Sequence, residues 1–236
     1  SLRVQDSVFR GIATVGAEGE GGGVYAAGAA RIDRSEISGN ATVGQDAGGG
    51  GIATFRNGPL TVVDSAIVDN AASGSASSGG GIYALTDVTI FGSTLAGNSA
   101  GSGGDGGGVW AFEMDVISST VTGHRTSGAH ADGGGLYAGQ SMRLQDSIVL
   151  GNDATTAGTD EIREPVAVGL TTGLSADGTN IVGADAAAFD ASGHAGIRNA
   201  DPAAVFAATE ANGAATAGVA AANGGGVSTV ALRDAP

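Results

Sequence analysis

A glycine triplet followed by a short apolar run recurs five times in the first two-thirds of the chain. Each triplet precedes Val, Ile or Leu, and in four copies the next residue is aromatic. The copies begin 28, 30, 27 and 27 residues apart, at Gly21, Gly49, Gly79, Gly106 and Gly133. A fixed period of this length is typical of a solenoid, in which each repeat forms one turn and stacks on its neighbours.

A serine position and an asparagine position keep the same period. Ser recurs at positions 7, 35, 65, 93, 119 and 147. The residue five places later is Asn in four of the six copies, and Ile12 and His124 are the exceptions. Asn tolerates the backbone of a tight corner and can form a hydrogen-bonded ladder between identical positions. We therefore expect an Asn ladder at one corner of each turn.

The rest of each repeat has the period of a β-strand. Val88 and Ile90 alternate with their neighbours, the alternation continues through Leu95, and Val109 begins a third short strand. No helical period occurs beside them. The chain is therefore predicted to be an all-β parallel β-helix with three short strands per turn. One inward apolar ladder would contain Val24, Ile52, Ile82, Val109 and Leu136.

The repeat fails after Asn152, because Glu161 and Ile162 stand where the next triplet is due. We predict β-helix turns over 1–164, and degenerate final turns with an irregular cap over 165–236 of the same domain, since an open stack has unpaired strand edges. The segments from the Asn position to the triplet are predicted to be loops that form a ridge on one side. Ser1 begins inside a repeat, so we expect the chain to be a fragment of a longer precursor.

The charge of the chain excludes several partners. Its basic residues are ten Arg and no Lys, and the formal net charge is -14. Such a surface repels phosphate backbones and anionic lipid, so no nucleic acid is expected as a partner. No apolar run approaches the roughly 20 residues that a membrane span needs, so no membrane insertion of this segment is expected. The chain contains no Cys, which excludes disulfides and thiolate metal sites.

The repeats resemble a known family. Ser-x-Ile/Leu-x-Gly-Asn followed by Gly-Gly-Gly-Ile-Tyr-Ala resembles the right-handed parallel β-helix repeats of bacterial surface proteins, including polymorphic-outer-membrane-protein-like repeats. The ordered motifs that begin at Gly158, Gly178, Ala200 and Asn223 resemble the choice-of-anchor Q domain. This resemblance implies a secreted or cell-surface bacterial protein and no settled activity. The chain departs from the family at Gly226, where the family has Pro, and it stops at position 236, before the family's usual terminal segment.

One cluster has the residue types of a catalytic site. His124, Arg125, His130 and Asp132 lie within nine positions of one another, and Asp105 is one turn away. A polysaccharide lyase, hydrolase or epimerase needs a base and a group that neutralises charge, and glycoside hydrolysis needs two carboxylates. The simpler interpretation is that His124 replaces Asn as a hydrogen-bonding residue of the corner.

Two further sets of residues are candidate binding sites. Tyr83, Trp110 and Tyr137 belong to a predicted outward row with Tyr25 and Ala53, and these rings either stack on sugars or merely cover the strands. Carboxylates directly precede three of the triplets, at Glu20, Asp105 and Asp132. They are possible calcium ligands, although solvated loop tips are the simpler interpretation.

The sequence therefore predicts a non-enzymatic structural or adhesive module, extracellular or on the bacterial cell surface, that presents its loop ridge to glycans or partner proteins. A polysaccharide-active enzyme that uses the His124 cluster is the alternative. Self-association through open strand edges is a third possibility. No cofactor is expected, with calcium as the possible exception.

Overall fold

The repeats form a stack of parallel strands. The computed structural model describes residues 1–55, 58–156, 160–163, 174–183, 196–221 and 227–233. They form an all-β solenoid of about six turns. Ile52, for example, pairs with Val24 on one side and with Ile82 on the other. The predicted parallel β-helix is therefore confirmed.

Sheet A is the largest of three parallel sheets and contains the strands that follow the glycine triplets. We begin each turn at its triplet, so that turn 1 spans residues 1–20 and turns 2 to 6 begin at 21, 49, 79, 106 and 133. Strands are numbered in chain order. Sheet A consists of β1 (Leu2–Gln5), β4 (Val24–Ala26), β5 (Ala30–Asp33), β8 (Ile52–Thr54), β9 (Leu60–Val63), β12 (Ile82–Phe91), β15 (Val109–Ile117), β18 (Leu136–Gln145), β20 (Ile162–Arg163) and β21 (Leu174–Asp177).

Sheets B and C complete each turn. Sheet B consists of β2 (Val8–Arg10), β6 (Glu36–Ser38), β10 (Ala66–Val68), β13 (Thr94–Ala96), β16 (Thr120–Thr122), β19 (Ile148–Val149), β22 (Asn180–Val182) and β23 (Ile197–Asn199). Sheet C consists of β3 (Ala13–Val15), β7 (Ala41–Val43), β11 (Ala71–Ala72), β14 (Ser99–Ser102) and β17 (Arg125–Ser127).

Two details of the predicted turn were wrong. The strand after the triplet is not a separate side of the solenoid, because in turns 4 to 6 it joins the following strand to give β12, β15 and β18. The segments predicted as loops begin instead as the strands of sheet C. Their inward residues are small or polar, as at Thr42 and Ala72, so the apolar alternation that marks a strand is weak there.

The interior and the corners follow the repeats closely. The inward ladder from Val24 to Leu136 belongs to one continuous buried core. The Asn ladder is present: the amide of Asn40 donates to Asn70 Oδ1 at 3.0 Å, and the amide of Asn70 donates to Asn98 Oδ1 at 2.9 Å. In the last regular turn, the Glu161 carboxylate accepts from the Asn152 amide and side chain at 3.3 and 2.7 Å. The residue that breaks the glycine pattern therefore ends the ladder.

The end of the chain folds back along the outer face of sheet B. This C-terminal strap, residues 202–221 and 227–233, contains α1 (Pro202–Val205), β24 (Thr209–Asn212), β25 (Ala215–Gly218), β26 (Ala220–Ala221) and β27 (Thr229–Val230). Its strands form two antiparallel pairs. In the parts of the chain that the structure describes, no helix is long and apolar enough to cross a membrane.

Hydrogen bonds attach the strap to several turns. The Gly218 amide donates to Thr122 Oγ1 at 2.9 Å in turn 5, and the Ser228 hydroxyl donates to Glu36 Oε2 at 3.1 Å in turn 2. Phe206 is fully buried in a second apolar cluster that includes Leu150 of the solenoid. The domain boundary at 164/165 stays a prediction. The motif residues 158–159 and 223–226, the positions 165–173 and Pro236 lie outside the described residues.

Candidate functional site

His124 lies inside the Asn ladder, not at the surface. It is fully buried, its Nδ1 accepts from the Asn98 amide at 3.0 Å, and its own amide donates to Asn152 Oδ1 at 2.9 Å. Nε2 therefore carries the ring proton, and it has no hydrogen-bond partner among the described residues. Burial lowers the pKa of His124 to about 3. The neutral imidazole accepts the ladder hydrogen bond that an Asn side chain accepts in the neighbouring turns. Because it is buried, a substrate on the surface cannot reach it.

The other three candidate catalytic residues have different partners. Arg125 is exposed and its Nε lies 3.4 Å from Asp153 Oδ2 of the next turn. Asp132 forms an ion pair with Arg163, with Nε and Oδ2 3.3 Å apart. His130 is exposed in a tight turn, with a φ of 66°. This arrangement does not favour a shared cleft in which His124 acts as the base. Catalysis by these residues stays a prediction.

The aromatic row lies on the outer face of sheet A. The ring centroids of Tyr83 and Trp110 are 5.0 Å apart, and those of Trp110 and Tyr137 are 6.1 Å apart with planes only 10° from parallel. All three side chains are half-buried, whereas Tyr25 is 50% exposed. The Tyr83 ring is tilted by 32° from the Trp110 ring; aromatic pairs at these distances attract one another, and each ring stays partly exposed.

The gap in this row at Ala53 is closed by its neighbour. A Cβ placed on Gly48 would lie 2.6 Å from Tyr83 Cδ1, so the tyrosine ring lies against Gly48, the residue just before the turn 3 triplet. Ala53 is fully buried as a result. The row is therefore more continuous than the sequence indicates, because Gly48 and Ala53 leave the space that the Tyr83 ring fills.

The three candidate calcium ligands do not converge, because Asp105 and Asp132 lie on neighbouring turns and Glu20 lies three turns before Asp105. Burial raises the pKa of Glu20 to about 7, and its buried Oε2 has no hydrogen-bond partner among the described residues. Burial also raises the pKa of Asp105, whose Oδ1 accepts from the Asp132 amide at 3.0 Å. Among the described residues, no group of three or more His, Asp or Glu is placed to hold a metal ion. Calcium binding stays a prediction.

A groove that was not predicted lies beside the aromatic row. The long strands of turns 4 to 6 are irregular after Ala84 and after Ala111, where the pairing register shifts. The bulge turns Phe112 and Glu113 outward together, so that an exposed ring and a half-buried carboxylate are adjacent on one face. A signal existed: β15 loses its alternation at this pair.

This groove, a cavity of about 570 Å³, contains acidic and hydroxyl side chains. We call it the sheet A groove, and it is lined by Pro59, Asp87, Val88, Thr89, Glu113, Met114, Asp115, Ser141, Met142, Arg143 and Ser175. The pairing register places Asp87 beside Glu113 and Asp115 beside Arg143. Arg143 is already paired, since its Nε lies 2.9 Å from Asp177 Oδ2.

Comparison with known proteins gives no match: no family model, no curated protein and no solved structure is significantly similar to this chain. The resemblance described above therefore depends on the quoted residues alone.

Proposed function

We propose that this chain is a non-enzymatic binding module of a secreted or cell-surface bacterial protein of the choice-of-anchor Q type, and that it holds a polysaccharide on the outer face of sheet A. The observation that carries the proposal is the row of three half-buried rings, Tyr83, Trp110 and Tyr137, on consecutive turns of one face. Flat rings pack on the apolar faces of sugars while their polar atoms stay in water.

The spacing of the row suits an extended polymer. The rings recur once per strand, at 5.0 and 6.1 Å, which is close to the length of one pyranose unit in a straight chain. A polymer that lies along the solenoid axis would therefore meet one ring per sugar. The bulge beside Trp110 widens the face and adds Phe112 as a second, exposed apolar contact.

The enzymatic alternative has less support. Its proposed base, His124, is fully buried and engaged by the ladder. The regular turns keep their corners short, and the corner backbones bond to each other, as when the Gly16 amide donates to Val43 at 2.9 Å. A holding role requires only the exposed face, which the fold provides.

Binding and cleavage of a polysaccharide panel test this proposal. The protein is incubated with neutral, anionic and amine-bearing polysaccharides, and both retention and chain length are followed. We expect retention without shortening, and about tenfold or greater weakening in Trp110→Ala, because loss of a central aromatic anchor commonly costs 2 kcal/mol or more. Phe91→Ala is the matched control, since Phe91 is 45% exposed on the same face but lies outside the row.

Three results would overturn the proposal. The first is no retention of any polysaccharide, and the second is equal weakening in the Trp110 and Phe91 variants. The third is shortening of the polymer, which would make the protein an enzyme. His124→Asn then identifies whether the buried imidazole takes part, because this variant keeps the ladder.

A further inference from the structure

We infer that the polysaccharide is cationic, a polymer of amino sugars with free ammonium groups, held between the aromatic row and the carboxylates of the sheet A groove. This inference rests on the proposed function and adds the chemical class of its ligand. It depends on how rings and charges are distributed across one face.

Carboxylates without counter-ions flank the rings on the groove side. Asp87 is exposed, and Glu113 and Asp115 are half-buried. None of the three forms an ion pair with a described residue, whereas the groove's one arginine, Arg143, is paired with Asp177 at 2.9 Å. The groove therefore keeps an uncompensated negative charge next to an apolar strip.

The bulge places a carboxylate on the same outer face as the ring, three positions farther along β15. Trp110 and Glu113 lie three residues apart on β15 and both face outward, because the bulge at Phe112 breaks the alternation. A polysaccharide on the row would thus have Glu113 on its groove side. An ammonium group on that side gains an ion pair with the carboxylate.

The opposite side of the row carries negative charge as well. Asp105 and Asp132 lie close enough to Tyr137 to raise the pKa of its hydroxyl, although burial is the larger cause and Arg163 acts against them. Asp132 is paired with Arg163, which leaves Asp105. A uronate polymer would meet like charges on both sides of the rings, and a neutral polymer would leave the groove carboxylates unused.

The experiment compares two forms of one backbone. Binding of soluble β-1,4-linked glucosamine oligomers is measured by calorimetry against their fully N-acetylated, neutral counterparts and against a galacturonate oligomer. We expect the amine form to bind at least about tenfold more tightly than the acetylated form, since each exposed ion pair contributes a few-fold and three carboxylates are involved. High salt should reduce this difference.

Two sets of charge variants test whether the groove carboxylates cause the preference for the amine form. The triple variant Asp87→Asn/Glu113→Gln/Asp115→Asn should remove the preference for the amine form while it keeps binding of the acetylated form. The control Glu18→Gln/Asp64→Asn/Glu210→Gln removes the same number of charges from exposed positions outside sheet A and should keep the preference.

The outcomes separate the two proposals. Equal binding of both forms, still lost in Trp110→Ala, would overturn the cationic ligand and leave the proposed function intact. Preference for the galacturonate would also overturn the inference. An equal loss of preference in both triple variants would reduce it to general charge attraction. No binding of any oligomer would contradict both proposals.

Discussion

Sheets A and B come from the same repeats, yet their outer faces differ. In sheet A the burial alternates along each strand, so that inward residues such as Ile90 are buried and outward ones such as Thr89 are partly exposed. In sheet B the strands β6, β10 and β13 bury all of their residues. Both faces of sheet B therefore lie in the interior in turns 2 to 4, while sheet A keeps one face in solvent.

The difference comes from the C-terminal strap. It contacts sheet B or its edge in turns 2, 4, 5 and 6, through Glu36, Ala96, Thr122 and Leu150. In turn 1, Val8 borders a cavity together with Val227 at the edge of the strap, and it stays 61% exposed. A repeat thus specifies what faces inward, but a non-repeating segment decides which outer face stays open to solvent.

Removal of the strap's main anchor should give the largest effect. Phe206→Ala empties a fully buried site, and we expect a loss of about 3–5 kcal/mol in the free energy of unfolding, measured by denaturant titration. The matched change on sheet A is Phe112→Ala, where the side chain is 45% exposed and a change within about 0.5 kcal/mol is expected. Similar losses in the two variants would show that both faces are equally covered.

The same contrast explains what the sequence could predict. The period, the apolar ladder and the Asn ladder follow from local spacing, because each turn contacts the next at equivalent residues. Sheet C was missed because positions such as Ala72 and Ala100 are too small to give a clear apolar alternation. The strap was missed because its contacts join residues far apart in the chain, such as Gly218 and Thr122, with no repeated pattern.

The candidate site was predictable to a similar extent. The outward position of Tyr83, Trp110 and Tyr137 follows from alternation alone. The leaning of Tyr83 over Gly48 and the outward pair at the Phe112 bulge depend on three-dimensional packing. The burial of His124 was implied by its ladder position, and that interpretation agrees with the structure better than a catalytic one.

Replacing His124 by Asn, the residue found at most other positions of the ladder, should make the protein less sensitive to acid. His124 stays neutral in the folded protein to a pKa of about 3, whereas an unfolded histidine gains a proton below about 6.5. Stability is therefore lost as the pH falls from 6.5 toward 3. His124→Asn should remove this loss and gain about 3 kcal/mol at pH 4 relative to its effect at pH 8.

Thermal and denaturant unfolding at the two pH values measure this gain. The exposed His130→Asn is the control for the loss of a histidine as such. If His124→Asn leaves the acid sensitivity unchanged, the imidazole is not buried as described.

Two buried or half-buried glutamates, Glu36 and Glu20, test how the residues packed over each face affect stability. On sheet B, burial opposes the ionisation of Glu36, but hydrogen bonds from Arg10, Ser38 and Ser228 outweigh it and lower its pKa. The stabilisation is present above the unfolded pKa of about 4.5 and is lost as the pH falls through the folded value. Glu36→Gln should therefore destabilise by about 1–2 kcal/mol at pH 7 and by less at pH 3.

Glu20, which lies beside sheet A just before the turn 2 triplet, should show the opposite sign. Its cover is the Tyr83 ring, which offers no donor to Oε2, and burial raises the pKa of Glu20 from 4.5 to about 7. The folded protein therefore holds this proton more tightly than the unfolded chain, and stability falls as the pH rises from 4.5 to 7. Glu20→Gln should gain roughly 1 kcal/mol at pH 8 relative to pH 4, less than the full shift implies because solvent screens a half-buried group.

Glu18→Gln, exposed on the same turn, is the control. If both Glu20→Gln and Glu36→Gln changed the free energy of unfolding in the same direction above pH 7, the two carboxylates would have equivalent environments. The proposed contrast between the two faces would then be wrong.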